Sequence, residues 1–319
     1  MALSVGVIGT GVMGSEHVRR LANEVEGAVV SAVADADPAR ATAAASAVGA
    51  RAHVDAVELI RSDEVDAVVV ASSDATHADF VLACLAEGKP VLCEKPLATT
   101  AEASLLVAEA EAASGRRLVQ VGFMRRFDPA YAALKRELDE GRLGTPLLLH
   151  CAHRNAGVPP GYTSEMLITS SLTHEIDVIR WITGEEIVSV TVRAPRSSSR
   201  ANGLRDPQLA ILETASGVLV DAEVFANAGY GYDIRCELVG EEGAASLPVA
   251  VAPTFVERFA DAYRLELQDW VDSVAAGGPT GPSAWDGYAA AAVADACLAS
   301  LADGCPVDVR LAERHALYA

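Results

Sequence analysis

Lysine is scarce in this 319-residue sequence: of 25 basic side chains only Lys89, Lys95 and Lys135 are lysines, the rest being arginine. Lys95 stands in Leu92-Cys93-Glu94-Lys95-Pro96-Leu97, directly after an apolar run with the character of a strand. The carboxyl ends of strands are where open α/β sheets bind ligands. A partly desolvated lysine amine can share or release its proton, which guanidinium cannot. On its own the position reads equally as a ligand-facing amine or as a surface lysine beside a proline turn. A second group of residues speaks to the ligand. Val5-Gly6-Val7-Ile8-Gly9-Thr10-Gly11-Val12-Met13-Gly14 sets G-x-G-x-x-G after a strand and at the opening of a helix. Gly9 permits the tight turn, Gly11 lets backbone approach a pyrophosphate, and Gly14 lets helix and strand pack closely. The unsatisfied N–H groups around Thr10, Val12 and Met13 then face an anion. Asp35 follows Gly14 by 21 residues at the end of the second strand run. That is close to the roughly 20 expected of a carboxylate on an adenosine ribose diol. It repels a 2′-phosphate and so favours NAD over NADP, with Arg40 the neighbouring cation that weighs the other way. The alternative is a glycine-rich turn without a ligand, against which Asp35 counts.

These residues need a frame. Up to about residue 125, short β-branched runs alternate with helical patterns, the signature of βαβ units and a parallel sheet. Strands are expected at 5–8, 29–34, 65–71, 90–93 and 118–123, and helices at 15–24, 38–47, 77–87 and 101–114. Beyond it the pattern predicts helices at 129–140, 173–183, 256–276 and 285–302. Strands are expected there at 147–152, 187–193, 208–214, 218–224 and 232–240. Ala215-Ser216-Gly217 joins two of these as a hairpin. The fold class is therefore α/β: a Rossmann doubly wound parallel sheet over residues 1–125, then an α+β domain with a large, mainly antiparallel sheet over 126–319.

The candidate residues also form a longer pattern. The glycine loop, Glu94-Lys95-Pro96, Gly122-Phe123-Met124-Arg125-Arg126-Phe127-Asp128 and His174-Glu175-Ile176-Asp177 occur in an order and spacing that resemble the Gfo/Idh/MocA oxidoreductases. That family takes its name from glucose–fructose oxidoreductase, inositol dehydrogenase and rhizopine catabolism, and within it the sequence is most similar to the bacterial inositol 2-dehydrogenases. The resemblance covers essentially the whole chain, through Trp285-Asp286-Gly287-Tyr288. It implies NAD-dependent oxidation of a ring secondary alcohol of an inositol-type cyclitol to a ketone by hydride transfer. Lys95 orients the hydroxyl and eases its deprotonation, and His174 is the general base. An imidazole titrating near working pH suits a reaction that gives up a proton with its hydride. Ser72, Ser73 and His77 correspond to the loop under the cofactor, and Glu94 lies beside it. Met124, Arg125, His153, Asn155 and Tyr232 are the implied substrate contacts, with Lys95 and His174; no metal is implied.

The family carries an aspartate four residues before the histidine, where this sequence has Ser170. Serine can hydrogen-bond an imidazole but cannot supply the charge that stabilises its protonated form. The departure keeps other readings in view: a dehydrogenase of another sugar or aminocyclitol, or a catalytically weakened NAD-binding module.

Composition bounds the rest. With 44 acidic against 25 basic residues the net charge is −19, which argues against nucleic acid and anionic membrane surfaces as partners. No apolar run approaches the length of a membrane span. Met1-Ala2-Leu3-Ser4-Val5 enters a strand pattern without the features of a signal peptide, so a cytoplasmic location is expected. The six scattered cysteines read as small buried apolar residues. A homo-oligomer, a tetramer by the resemblance, is the expected assembly.

Overall fold

The computed structural model describes residues 2–319. The chain divides into two compact units. The first comprises residues 1–123, 263–288 and 313–319, and the second residues 124–262 and 289–312.

In the first unit the expected alternation is realised as β1 (Leu3–Ile8), α1 (Val12–Asn23), β2 (Ala28–Ala34), α2 (Pro38–Val48), β3 (Arg51–His53) and α3 (Ala56–Arg61). It continues through β4 (Ala67–Val70), α4 (His77–Ala86), β5 (Val91–Glu94), α5 (Ala101–Ser114) and β6 (Val119–Gly122). All adjacent pairs are parallel and the strand order is β3-β2-β1-β4-β5-β6. In a doubly wound sheet of this order the strand order reverses between β1 and β4, which is where such sheets bind dinucleotides. Helix ends follow local chemistry. Asp37 caps α2 ahead of Pro38, and the helix stops at Gly49 with φ 72°. Thr100 caps α5, which stops at Gly115 with φ 70°. β3 and α3 are absent from the sequence reading. A three-residue edge strand and a six-residue helix are too short to show a period, so the lysine-bearing strand is the fifth of the sheet rather than the fourth.

The contiguous division after residue 125 needs correction, because two later segments complete the first unit. Leu267, Trp270 and Val271 are buried in the same cluster as Val5, Val7, Leu21 and Val69. Tyr318 donates a hydrogen bond to the buried carboxylate of Glu111, which also accepts from the N–H groups of Leu118 and Val119.

The second unit contains α6 (Pro129–Asp139), β7 (Pro146–Arg154), a π-helical turn (Leu167–Leu172) and α7 (Thr173–Thr183). Then come β8 (Ile187–Arg193), β9 (Gln208–Thr214), β10 (Leu219–Phe225), β11 (Tyr232–Gly240), β12 (Ala244–Ser246), β13 (Val251–Ala252) and α8 (Phe255–Arg258). α9 (Ala260–Ala276), α10 (Ala284–Asp303) and β14 (Val307–Asp308) complete the chain's regular elements. The eight-stranded sheet runs β12-β11-β7-β10-β9-β8-β14, with β13 on β11. The predicted hairpin is β9–β10. The sheet is mixed, since β7 and β10 pair in parallel while its other pairs are antiparallel. The helix expected at 256–276 is broken, as Thr254 caps a short α8 and Phe259 turns the chain before α9. Five of the six cysteines are buried as expected, but Cys305 is exposed, in the turn that follows α10.

Candidate active site

The first unit carries a cleft of about 690 Å³ at the carboxyl ends of its strands, lined among others by Gly9, Gly11, Asp35, Arg40, Ser72 and Ser73. The glycines have separate reasons. Gly9 has φ +89°, and a Cβ there would stand 2.5 Å from the Ala71 carbonyl oxygen. A Cβ on Gly14 would run into the Gly9 carbonyl. Gly11 would meet nothing within 4 Å, leaving its surface open to a ligand. Thr10 is buried, Val12 is 70% exposed, and Met13 is half-buried at the first turn of α1. These features fit a dinucleotide pyrophosphate seated on a helix start.

Asp35 is the best-held acid of the cleft. Its Oδ2 accepts from Thr10 N (2.7 Å) and Thr10 Oγ1 (2.8 Å), and its Oδ1 from Asp37 N (2.8 Å) and Arg40 Nη2 (2.7 Å). Burial raises the pKa of this carboxyl, yet the bonds from Asp37, Arg40 and Thr10 outweigh it and hold it at about 2. Arg40 is thus the counterion of Asp35, with a side chain 57% exposed. Ser72 Oγ and Thr76 Oγ1 share a hydrogen bond of 2.7 Å. His77 is buried, with Nδ1 2.7 Å from the Pro96 carbonyl and Nε2 3.2 Å from the Ser72 carbonyl. A neutral ring donates to only one of these. The imidazole thereby ties the turn after β4 to the segment bearing Lys95.

Glu94 is buried at the end of β5. His17 Nε2 of α1 donates to its Oε1 at 2.8 Å, and the Lys95 N–H to its Oε2 at 3.2 Å. Burial raises its pKa, but the His17 bond and nearby positive charge lower it overall. Gly122 of β6 makes room, since a Cβ there would come within 3.0 Å of Glu94 Oε2. Glu94 therefore anchors the backbone of Lys95, whose half-buried side chain leaves the sheet at its carboxyl edge.

In the second unit, β7 extends through residue 154, so His153 sits within the strand rather than after it. It is in register with Val224 on one side and Ile234 on the other. Arg125, in the 3-10 turn Met124–Phe127, is only 1% exposed and is no open polar tip. Its guanidinium pairs with Glu175 Oε1 through Nη1 and lies 3.2 Å from His153 Nδ1 through Nη2. Glu175 Oε2 is 3.1 Å from the same Nδ1. Burial raises the pKa of this acid, and Arg125 and His153 more than reverse it, to about 2. The Arg125 guanidinium also lies over the Phe259 ring, 5.5 Å from its centroid. Tyr232, buried at the start of β11, meets His153 edge-on with centroids 5.6 Å apart, and His174 lies 6.1 Å from His153. Met124 is buried. Asn155 is half-buried, its backbone tied to Phe225 and Ala228.

Ser170 lies on the π-helical turn that runs into α7 at His174. Its hydroxyl hydrogen-bonds Tyr162, which also bonds Ser171 at 2.9 Å. Tyr162 and Glu175 received no role from the sequence. Glu175 had a signal, because a helix buried all round that carries Glu175 and Asp177 needs cations. Arg125 and Arg126 supply them, Arg126 to Asp177 at 2.5 and 3.0 Å.

Comparison with known proteins bears on these features. Residues 3–123 match a family model described as an oxidoreductase family with an NAD-binding Rossmann fold. Residues 131–246 match the GFO/IDH/MocA C-terminal domain, and residues 249–309 the oxidoreductase family C-terminal alpha/beta domain. Inositol 2-dehydrogenase 1 of Saccharopolyspora erythraea is 56% identical over 100% of this chain and 99% of its own length. An inositol 2-dehydrogenase of Burkholderia cenocepacia is 49% identical over the same shares. Among solved structures, myo-inositol dehydrogenase from Lactobacillus casei, in complex with NAD(H) and myo-inositol, has a TM-score of 0.96 and 39% identity, with both chains fully covered.

Proposed function

The chain belongs to the Gfo/Idh/MocA family of NAD-binding oxidoreductases, and we propose that it oxidises a ring secondary hydroxyl of an inositol to the ketone with NAD. The observation that supports this most is the 56% identity, over essentially the full length of both chains, with an inositol 2-dehydrogenase. The glycine turn, the open surface at Gly11 and the ribose-side carboxylate of Asp35 fit the dinucleotide. When bound, NAD supplies the carbon that takes the hydride.

The residues divide the remaining work. Lys95, its backbone pinned by Glu94, directs an ammonium N–H at the reacting hydroxyl and lowers the cost of its deprotonation. His174 accepts the hydroxyl proton. His153, Asn155, Tyr232 and Met124 hold the rest of the ring, while Arg125 acts beneath them through Glu175 and His153. Ser170 and Tyr162 stand where a carboxylate would otherwise support the base. The sheet of the second unit leaves Leu209 and Leu219 on neighbouring strands exposed, and we assign that face to pairing with a second copy, toward a tetramer. No helix among the described residues is long and apolar enough to cross a membrane, in keeping with a cytoplasmic enzyme.

The test is NADH formation from NAD with a panel of inositol stereoisomers, glucose and an aminocyclitol, repeated with NADP. Turnover on an inositol, lost by about 10²–10⁴ in Lys95→Ala and His174→Ala, supports the reading. Turnover on the aminocyclitol or glucose alone moves the substrate. Silence across the panel with intact NAD binding leaves the weakened module. Ser170→Asp should raise inositol turnover about tenfold by restoring charge beside the base.

A further inference from the structure

Three side chains from three elements meet in the second unit, with the imidazole of His153 between opposite charges. Its Nδ1 lies 3.1 Å from Glu175 Oε2 and 3.2 Å from Arg125 Nη2. A carboxylate cannot donate and a guanidinium cannot accept, so Nδ1 can satisfy only one of them. The competing needs are unequal. Arg125 has other acceptors: Glu175 Oε1 at Nη1, Tyr131 Oη at 3.4 Å, and the Tyr232 hydroxyl. Glu175 Oε2 has no other donor among the described residues, and at 1% exposure the acid is beyond the reach of bulk water. A buried carboxylate oxygen left without a donor costs more than a guanidinium N–H that can turn to a neighbouring hydroxyl.

We propose that Glu175 is a positioning residue: it fixes the His153 proton on Nδ1, leaving Nε2 unprotonated as a hydrogen-bond acceptor for a hydroxyl of the polyol. The inference rests on the reading of His153 as a substrate contact and deepens it. The strand fixes where the ring is, since His153 is paired on both sides in the sheet. The edge-on Tyr232 restricts its tilt, and Glu175 decides what it can recognise. A ring so held accepts from a donor hydroxyl, which a polyol offers at every carbon, and rejects a group that can only accept at that position. Since Glu175 follows His174 directly on α7, the same contact also fixes the first turn of the helix that presents the proposed base.

The primary experiment is ring ¹⁵N NMR of the full, substrate-free chain, with the His153 signals assigned by their loss in His153→Ala. The expected result is a protonated Nδ1 and a bare Nε2; a proton on Nε2 in the unaltered protein overturns the inference. This measurement needs no turnover, so it separates failure of the inference from failure of the proposed activity. In Glu175→Gln, with Arg125 free to donate to Nδ1, the proton is expected on Nε2. KM for inositol should then rise about tenfold, one lost hydrogen bond, with NAD affinity unchanged. In a His153→Ala background the same change should leave KM where His153→Ala put it. An equal rise in both backgrounds assigns Glu175 a purely structural role and also overturns the proposal. Should Glu175→Gln fail to fold, the tautomer measured in the unaltered chain still decides.

Discussion

Each unit buries an imidazole–carboxylate contact, and these two are built differently. In the first, His17 donates to Glu94 at 2.8 Å, and the second oxygen of Glu94 takes the backbone N–H of Lys95. In the second, His153 lies 3.1 Å from Glu175, whose other oxygen takes an arginine that is itself buried. A buried carboxylate needs compensation for lost hydration. Glu175 gets it from the guanidinium of Arg125 and from His153, Glu94 from the His17 hydrogen bond and charge and from Lys95 and His77 around it. What each contact holds differs too. The first arrangement pins the backbone of Lys95. The second pins a side chain and confines charge to the interior.

If that contrast is right, Arg125→Met is the most damaging change, because it strands the Glu175 charge. A loss of about 3–5 kcal/mol is expected in denaturant unfolding. A loss below about 1 kcal/mol would mean that Glu175 is compensated elsewhere. The pH dependence of stability follows from the same pair. The Glu175 carboxyl titrates at about 2 when folded, against an ordinary 4.5, so its contribution is complete above pH 4.5 and lost as pH falls toward 2. The amount is on the order of 3 kcal/mol. It should vanish from the difference curve when Arg125→Met is combined with Glu175→Gln. His17→Ala is expected to cost less, about 1–3 kcal/mol, since Glu94 keeps the Lys95 N–H and the charges around it. That variant should also lower kcat through a looser Lys95 while leaving the KM for the polyol nearly unchanged. A cost matching that of Arg125→Met would erase the distinction between the two contacts. The smallest effect belongs to the exposed case. Arg40→Ala breaks a 2.7 Å pair with Asp35 but should shift the unfolding midpoint least of all, because solvent screens it. A larger loss would show that bond geometry outweighs burial.

What the sequence made legible was local. The glycine loop and the β-branched runs act within a few residues, so βαβ alternation and the cofactor turn could be read directly. Asp35 was legible as a carboxylate at the right spacing, though its saturation by Thr10, Asp37 and Arg40 was not. The hidden features depend on residues far apart in sequence. Arg125 looked like a polar tip because nothing local shows that Glu175 and Phe259 close over it. The π-helical turn that carries Ser170 was not legible, because residue spacing assumes an α-helical one. β3 and α3 escaped through shortness, and the parallel β7–β10 pairing through its long connection.

The division of the first unit across the chain sets an order in time. Trp270 and Tyr318 fill positions around a sheet whose strands are all synthesised by residue 122. A ribosome releases the glycine turn among the first residues, but the partners that close the apolar surface behind it emerge more than a hundred residues later. Until then the nascent cofactor half must wait with Val5 and Val7 only partly covered, a natural moment for a chaperone to hold it. A fragment of residues 1–125 should accordingly be insoluble or bind NAD poorly, and adding residues 263–319 as a separate peptide should rescue it in part.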